Sequence, residues 1–362
     1  MRTCDALVVG GGPAGASCAA ALGRAGWTVI VADAAEFPRD KVCAGWLTPE
    51  VFGLLDLTPD DYRGAGLTLQ EVRGFSTRAF GQAPVETRYD GVVSYAIRRR
   101  EFDAFLLARA GVPVEHLRVT SLRPAGGRWI VNEEIAAPVV VGAGGHFCPV
   151  AKYLRGRDDA APVVAKEAEF RLTDPDALPG MPALYFCRDL AGYAWCVRKE
   201  GWVNVGLGRR ISSGFGRHVD AFAAWLARDP ALAGIEHARW KGHAYLAAGA
   251  GTRPLVGPGM LAVGDAAGLA YPESGEGIRP AIASGQLAAA TLVAAGRGFD
   301  LEALRPYAEA ISRQHPPMSH HPPWMDRATA PIARLLLRSS AFTRHVVLDR
   351  WFLRRQAATP AH

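Results

Sequence analysis

The sequence is poor in several things that would point to common functions. Its six cysteines, Cys4, Cys18, Cys43, Cys148, Cys187 and Cys196, form no CxxC pair and no zinc-ligand spacing, so they read as reduced thiols, most of them in the core. Long apolar runs are missing, and nothing approaches the ~18 uninterrupted apolar residues of a membrane span. The opening MRTCDALVVGGGPAG makes a poor secretory signal, because Asp5 and the glycines break its apolar run. There is no internal repeat and no low-complexity tract. Charge of one sign is scarce as well. The net charge is +6, and seven arginines against two aspartates between Trp324 and Gln356 account for most of it. The near-neutral remainder excludes a nucleic-acid-binding surface over the main body. The expectation is a cytoplasmic protein with no nucleic-acid partner.

What is present is a chain of 362 residues, 49% hydrophobic and 21% charged, enough for a real core and for about two domains at roughly 150 residues each. Asp5 to Gly10 reads as a buried strand running into glycines. A small-residue helix follows from Ala16 to Ala25, and Thr28–Val31 is a second strand that leads to Asp33. Gly10, Gly12 and Gly15 fall at GxGxxG spacing. Gly10 allows the sharp turn, Gly12 lets backbone amides approach a pyrophosphate, and Gly15 lets the helix pack on the sheet. Asp33, 18 residues after Gly15, suits an adenosine ribose, whose hydroxyls donate to a carboxylate. The segment predicts dinucleotide binding at a helix N-terminus.

Later segments select a flavin. Leu261 to Gly268 reads as a strand ending in Gly264-Asp265, and Tyr271 to Ile278 precedes a helix-like run from Arg279 to Leu292. Asp265 can accept a ribityl hydroxyl. Amides near Gly275, Gly277 and Ile278 can donate to the flavin N1/O2 edge, which gains negative charge on reduction.

These residues together resemble the glutathione-reductase-type flavoproteins that include aromatic hydroxylases, flavin halogenases and geranylgeranyl reductases, and most of all the last branch. The resemblance covers residues 1–150 and 255–290. It implies an α/β fold with a Rossmann-like FAD-binding domain, an inserted β-rich substrate domain and C-terminal helices. It places Ala14 with the phosphate turn, Cys43 and Ala44 beside the flavin through Phe37-Pro-Arg-Asp-Lys-Val-Cys-Ala-Gly45, and Arg99 near the pyrophosphate through Arg99, Phe102 and Asp103. Val119 completes the expected cofactor set. The branch's substrate-lining Tyr-x-Trp maps onto Tyr193 and Trp195, and Cys43 is the candidate proton donor. Two departures stand out: Ala44 replaces the first of two glycines, and Gly142-Ala-Gly-Gly145 lacks the aspartate of the hydroxylases' GADG.

The expected domains are 1–45, 96–150 and 255–295 for FAD, 46–95 and 151–254 for a β-rich substrate region, and 296–362 for C-terminal helices. Alternation and aromatics between residues 180 and 208 read as strands. The proline-rich stretch His315–Pro323, with His315, His320 and His321, reads as a connector without ligand spacing, and no metal is expected. In the tail, Ile332, Leu335, Leu336, Val346, Val347, Trp351 and Phe352 fit helical faces. Two readings stay open: helices packed on the second domain, or a basic face on anionic lipid.

The resemblance thus implies an FAD-dependent oxidoreductase reducing C=C bonds of a hydrophobic isoprenoid or lipid-like substrate, fed by NAD(P)H or an external reductase. The alternative is a monooxygenase acting through a C4a-hydroperoxyflavin. A halogenase fits poorly, because Val197-Arg198 stands where its Ile-Pro would be and no lysine suits the relay. A non-catalytic flavoprotein is the rival of a different class.

Overall fold

The computed structural model describes residues 1–156, 161–210, 214–249, 253–296, 298–316 and 323–355. Residues 317–322 of the connector expected over His315–Pro323, and the last seven residues, lie outside them.

Strand β1 (Ala6–Val9), helix α1 (Pro13–Arg24) and strand β2 (Val29–Asp33) form the unit expected at the N-terminus. Helix α2 (Arg99–Arg109) packs on α1, and strand β3 (Val139–Gly142) pairs with β1 on the side away from β2. Met260–Ala262, β3, β1, β2 and Val114–His116 lie side by side and all run parallel, with Val256–Gly257 antiparallel at one edge. β1 and β3 are buried along their whole length, the continuous Val/Leu character of a parallel sheet covered on both faces. Their C-terminal ends meet the first glycine turn, where such sheets bind ligands.

The second half is a seven-stranded sheet. β4 (Val163–Arg171), β5 (Ala183–Phe186), β6 (Gly192–Lys199), β7 (Trp202–Arg210) and β8 (Lys241–Tyr245) lie in the order β8-β4-β7-β6-β5, and Gly74–Ala79 and Val85–Arg88 complete it. All pairs are antiparallel except β5 with Gly74–Ala79. Two clusters cover its faces. One carries Phe75, Trp195, Val197 and, from the tail, Val347, Leu348 and Phe352. The other carries Val203, Val205, Leu207 and Phe222.

Helix α3 (Ile278–Ala295) is long and apolar enough to cross a membrane, yet half of it is buried inside the protein, crossing α1 where Gly285 meets the Ala14 carbonyl. Helix α4 (Pro323–Leu336) and the turns of Ser340–Phe352 form the tail. Here the two expected faces part company. Val347 and Phe352 pack against the seven-stranded sheet, whereas Ile332 and Leu335 are each 63% exposed.

Candidate functional site

The turn between β1 and α1 is built for close approach. Gly10 has φ +114°, and a Cβ there would stand 2.5 Å from the Ala143 carbonyl. A Cβ on Gly15 would lie 1.8 Å from the Gly10 oxygen, so α1 sits directly on the turn. Gly12 caps α1 without a side chain, leaving first-turn N–H groups for a ligand. At the end of β2, Asp33 accepts the Gly11 N–H at 2.7 Å on one oxygen and the Ala35 N–H at 2.9 Å on the other. These amides fix the carboxylate and leave lone pairs for hydroxyl donors.

Positive charge stands beside this turn. Arg99 donates twice to Asp103, at 2.7 and 2.8 Å, and Arg39 lies 3.2 Å from the same buried carboxylate. Burial opposes the charge of Arg99, but Asp103 outweighs it and holds the guanidinium firmly protonated. Two cations share one anion, and Arg39 reaches Gly12. A net positive charge at a helix N-terminus fits a pyrophosphate.

Further in, the Cys43–Gly45 turn is held from beneath. The Cys43 N–H donates to Glu167 Oε2 at 2.6 Å, and the Gly45 N–H reaches the Cys43 sulfur at 3.3 Å. Burial pushes Glu167 up to about 7. Fully buried Lys199 donates to Glu169 at 2.8 Å. Lys41 faces the cavity, and burial lowers its pKa while Asp265 pulls the other way. Asp265 sits in the short turn Gly264–Ala266. Burial there favours the acid form, yet His243, 3.5 Å away, and the cations Lys41 and Arg99 keep it ionised. His243 itself is held towards its neutral form by burial.

A single cavity of about 1280 Å³ runs through these groups to the face of the seven-stranded sheet. That exceeds the ~300–1,000 Å³ of an ordinary small-ligand pocket and leaves room for a dinucleotide and a second molecule. The expected residues Gly10, Gly12, Ala14, Asp33, Cys43, Ala44, Arg99, Val119, Asp265, Gly275, Gly277 and Ile278 all line it, as do Tyr193 and Trp195. Gly15 and Gly264 stand behind the wall. Gly264 faces Ala14 and Ala281 and donates its N–H to Ser284. The Trp195 indole N–H donates to Asn204 Oδ1 at 2.7 Å, and the Tyr193 hydroxyl donates to the Ser274 carbonyl. Among the described residues no cluster of side chains could hold a metal ion.

Sequence reasoning named strands of this sheet only between residues 180 and 208, and missed β4, β8, Gly74–Ala79 and Val85–Arg88. Edge strand β8 turns Lys241, His243 and Tyr245 towards three cofactor-side segments: Lys241 pairs with Asp40, His243 faces Asp265, and the Tyr245 hydroxyl abuts Gly275. The signal was there in Lys-Gly-His-Ala-Tyr, polar at every second residue. Glu167 and the roof residue Leu337 were also missed.

No family model matches the chain. A menaquinone reductase from Mycobacterium tuberculosis is 30% identical over 295 residues, 65% of this chain and 68% of that protein. A digeranylgeranylglycerophospholipid reductase from Thermoplasma acidophilum is 28% identical over 311 residues, 74% and 72% of the two chains. Among solved structures, a geranylgeranyl bacteriochlorophyll reductase-like protein from Thermoplasma acidophilum superposes with a TM-score of 0.72 at 21% identity, covering 100% of this chain and 94% of that one. A halogenase in complex with FAD superposes at 0.67 with 16% identity, covering 97% and 85%. The phosphate turn, the ribose-side carboxylate and the paired arginines fit FAD as the cofactor. The chain belongs to the geranylgeranyl-reductase-like FAD-dependent oxidoreductases.

Proposed function

We propose that this oxidoreductase saturates carbon–carbon double bonds in the prenyl chain of a lipid. One observation carries the reading: the FAD-side residues and an aromatic, largely apolar sheet face share one continuous cavity. Of the two relatives named above, one is by name a reductase of menaquinone and the other of a digeranylgeranylglycerophospholipid, whose name carries the prenyl chains. FAD held here in its reduced form would supply hydride chemistry for one carbon of the double bond, and the protein must bring a proton to the other. Electrons come from NAD(P)H or an external reductase.

The chain's own groups do the rest. Asp33, Arg39 and Arg99 anchor the dinucleotide end, and Asp265 with the amides near Gly277 orient the ring end. Trp195, Tyr193 and Phe186 give flat apolar walls that exclude water from the reacting carbons. Cys43 stands at the junction of the two regions and donates the proton from its thiol. Cys43→Ala is expected to slow single-turnover reduction on the order of a hundredfold or more, as loss of a general acid does, while FAD content stays unchanged. A loss of only a few-fold would make Cys43 a packing residue.

The test of the function is direct. Holoenzyme reduced with dithionite under argon is mixed with a prenyl lipid, and mass spectrometry looks for the gain of two hydrogens. Oxygen incorporated from labelled O2 into an unsaturated product would replace the reductase reading with a monooxygenase.

The enzyme also meets its substrate at a membrane. Ile332, Leu335 and Leu336 on α4 are exposed, and Arg338, Arg344 and Arg350 nearby are exposed too. An apolar ridge among cations complements anionic lipid.

A further inference from the structure

The cavity face of the seven-stranded sheet resolves into rows, because residues paired in register point the same way. One row reads His243, Ala165, Gly208, Tyr193 across β8, β4, β7 and β6. The next row towards Cys43 reads Lys241, Glu167, Gly206, Trp195. Polar groups occupy the β8 side and aromatics the β6 side. Between them the sheet is nearly bare.

The two glycines of the middle strand are bare for different reasons. A Cβ on Gly206 would lie 2.2 Å from the Trp195 ring, so the indole lies flat on that residue and forbids a side chain. The nearest atoms to a Cβ on Gly208 would be the Ala165 Cβ and the edge of Trp195, both at 3.7 Å, and the Val164 carbonyl at 3.9 Å, all ordinary contact. Gly208 does not have a left-handed φ. Neither packing nor backbone demands glycine there, yet the missing side chain deepens the cavity beside Trp195. From Gly206 to Arg210 along β7 is four residues, roughly 13 Å at ~3.3 Å per residue. Arg210, Leu190, Leu337 and Phe352 line the same cavity.

We propose that Gly208, with Ala165 beside it, sets the substrate specificity of this site by keeping open a trough for an extended, acyclic apolar chain. The proposal rests on the prenyl-reductase reading and deepens it. The chain lies along β7 with one double bond at the Cys43 end and the remainder running past Gly208 towards Arg210. A flat ring would stack on Trp195 and leave the hollow over Gly208 unfilled, whereas a chain fills it along its length. Filling the hollow therefore penalises long chains more than short ones.

The test uses dithionite-reduced holoenzyme and linear prenyl alcohols of two, three and four isoprene units. Gly208→Val is expected to lower the ratio of four-unit to two-unit kcat/KM on the order of tenfold, the effect of a mismatched methylene or two in an apolar pocket. Ala165→Leu should act in the same direction. If Gly208→Val loses flavin or unfolds, Gly208→Ala carries the same test with a smaller ratio. An unchanged length profile in flavin-replete variants overturns the proposal. Failure of the unaltered enzyme to hydrogenate any prenyl alcohol overturns the reductase reading instead. Binding still reads the trough in that case, through perturbation of the flavin absorbance by saturated alcohols of matched lengths. Equal weakening of long and short alcohols by Gly208→Val would then overturn it.

Discussion

Glu167 holds the Cys43 turn from a position with 6% exposure. Burial is the largest influence on its carboxyl and raises it from 4.5 to about 7, against the pull of Lys199, Asn204 and the Cys43 amide. A raised acid means that between those two pH values the native state keeps a proton the unfolded chain has released. Stability contributed by the neutral carboxyl is whole at low pH and lost as pH rises through the window, by roughly 3 kcal/mol at ~1.4 kcal/mol per pH unit. Glu167→Gln keeps an oxygen to accept the Cys43 N–H and removes the titration. Urea denaturation across the window should therefore show wild-type stability falling relative to the variant as pH rises. Parallel curves would mean that Glu167 is ionised throughout.

At the scale of strands and helices, β7 shows how a wall is fixed. The Trp195 indole is pinned by Asn204 at one edge and by the bare backbone of Gly206 beneath it. Gly206→Ala must displace the ring and break that hydrogen bond, a clash expected to cost roughly 1–3 kcal/mol, as overpacking does. A lowered denaturation midpoint with shifted tryptophan emission is the expected result, and an unchanged midpoint would show that the ring is free to move. The same strand marks where the sequence was legible. Gly10, Gly12, Gly15 and Asp33 could be read because one local unit brings them together, and Gly10 and Gly15 answer local steric needs. β6 and β7 could be read from alternation. β8 could not be placed, because Lys241 and Asp40 are 201 residues apart and only the tertiary fold joins them. Glu167 lies on β4, a strand the sequence reading did not name, and its partner is a backbone amide that no side-chain pattern announces. The tail misled in part: its apolar periodicity was real, but nothing in it told which face meets the sheet and which meets solvent.

For the whole molecule, the roof of the cavity is also its outer surface. Ala333, on α4, and Leu337, just beyond it, line the cavity, while Ile332, Leu335 and Leu336 look outward with 63%, 63% and 41% exposure. On the proposed reading, a long-chain lipid would be poorly delivered through water. Seating α4 in the headgroup layer would let such a chain reach the cavity along one helix. The exposed arginines of the tail then add attraction to anionic lipid, about 1 kcal/mol per residue near the surface and weaker in salt. Holoenzyme is expected to sediment with vesicles containing phosphatidylglycerol, less with phosphatidylcholine alone, and less again at high salt. Replacing Leu335 and Leu336 together by glutamate should abolish sedimentation while flavin content and reduction of a detergent-dispersed prenyl alcohol persist, since neither side chain lines the cavity. Wild-type protein that stays in the supernatant at low salt would leave the ridge without a lipid partner, and the substrate would have to arrive by another carrier.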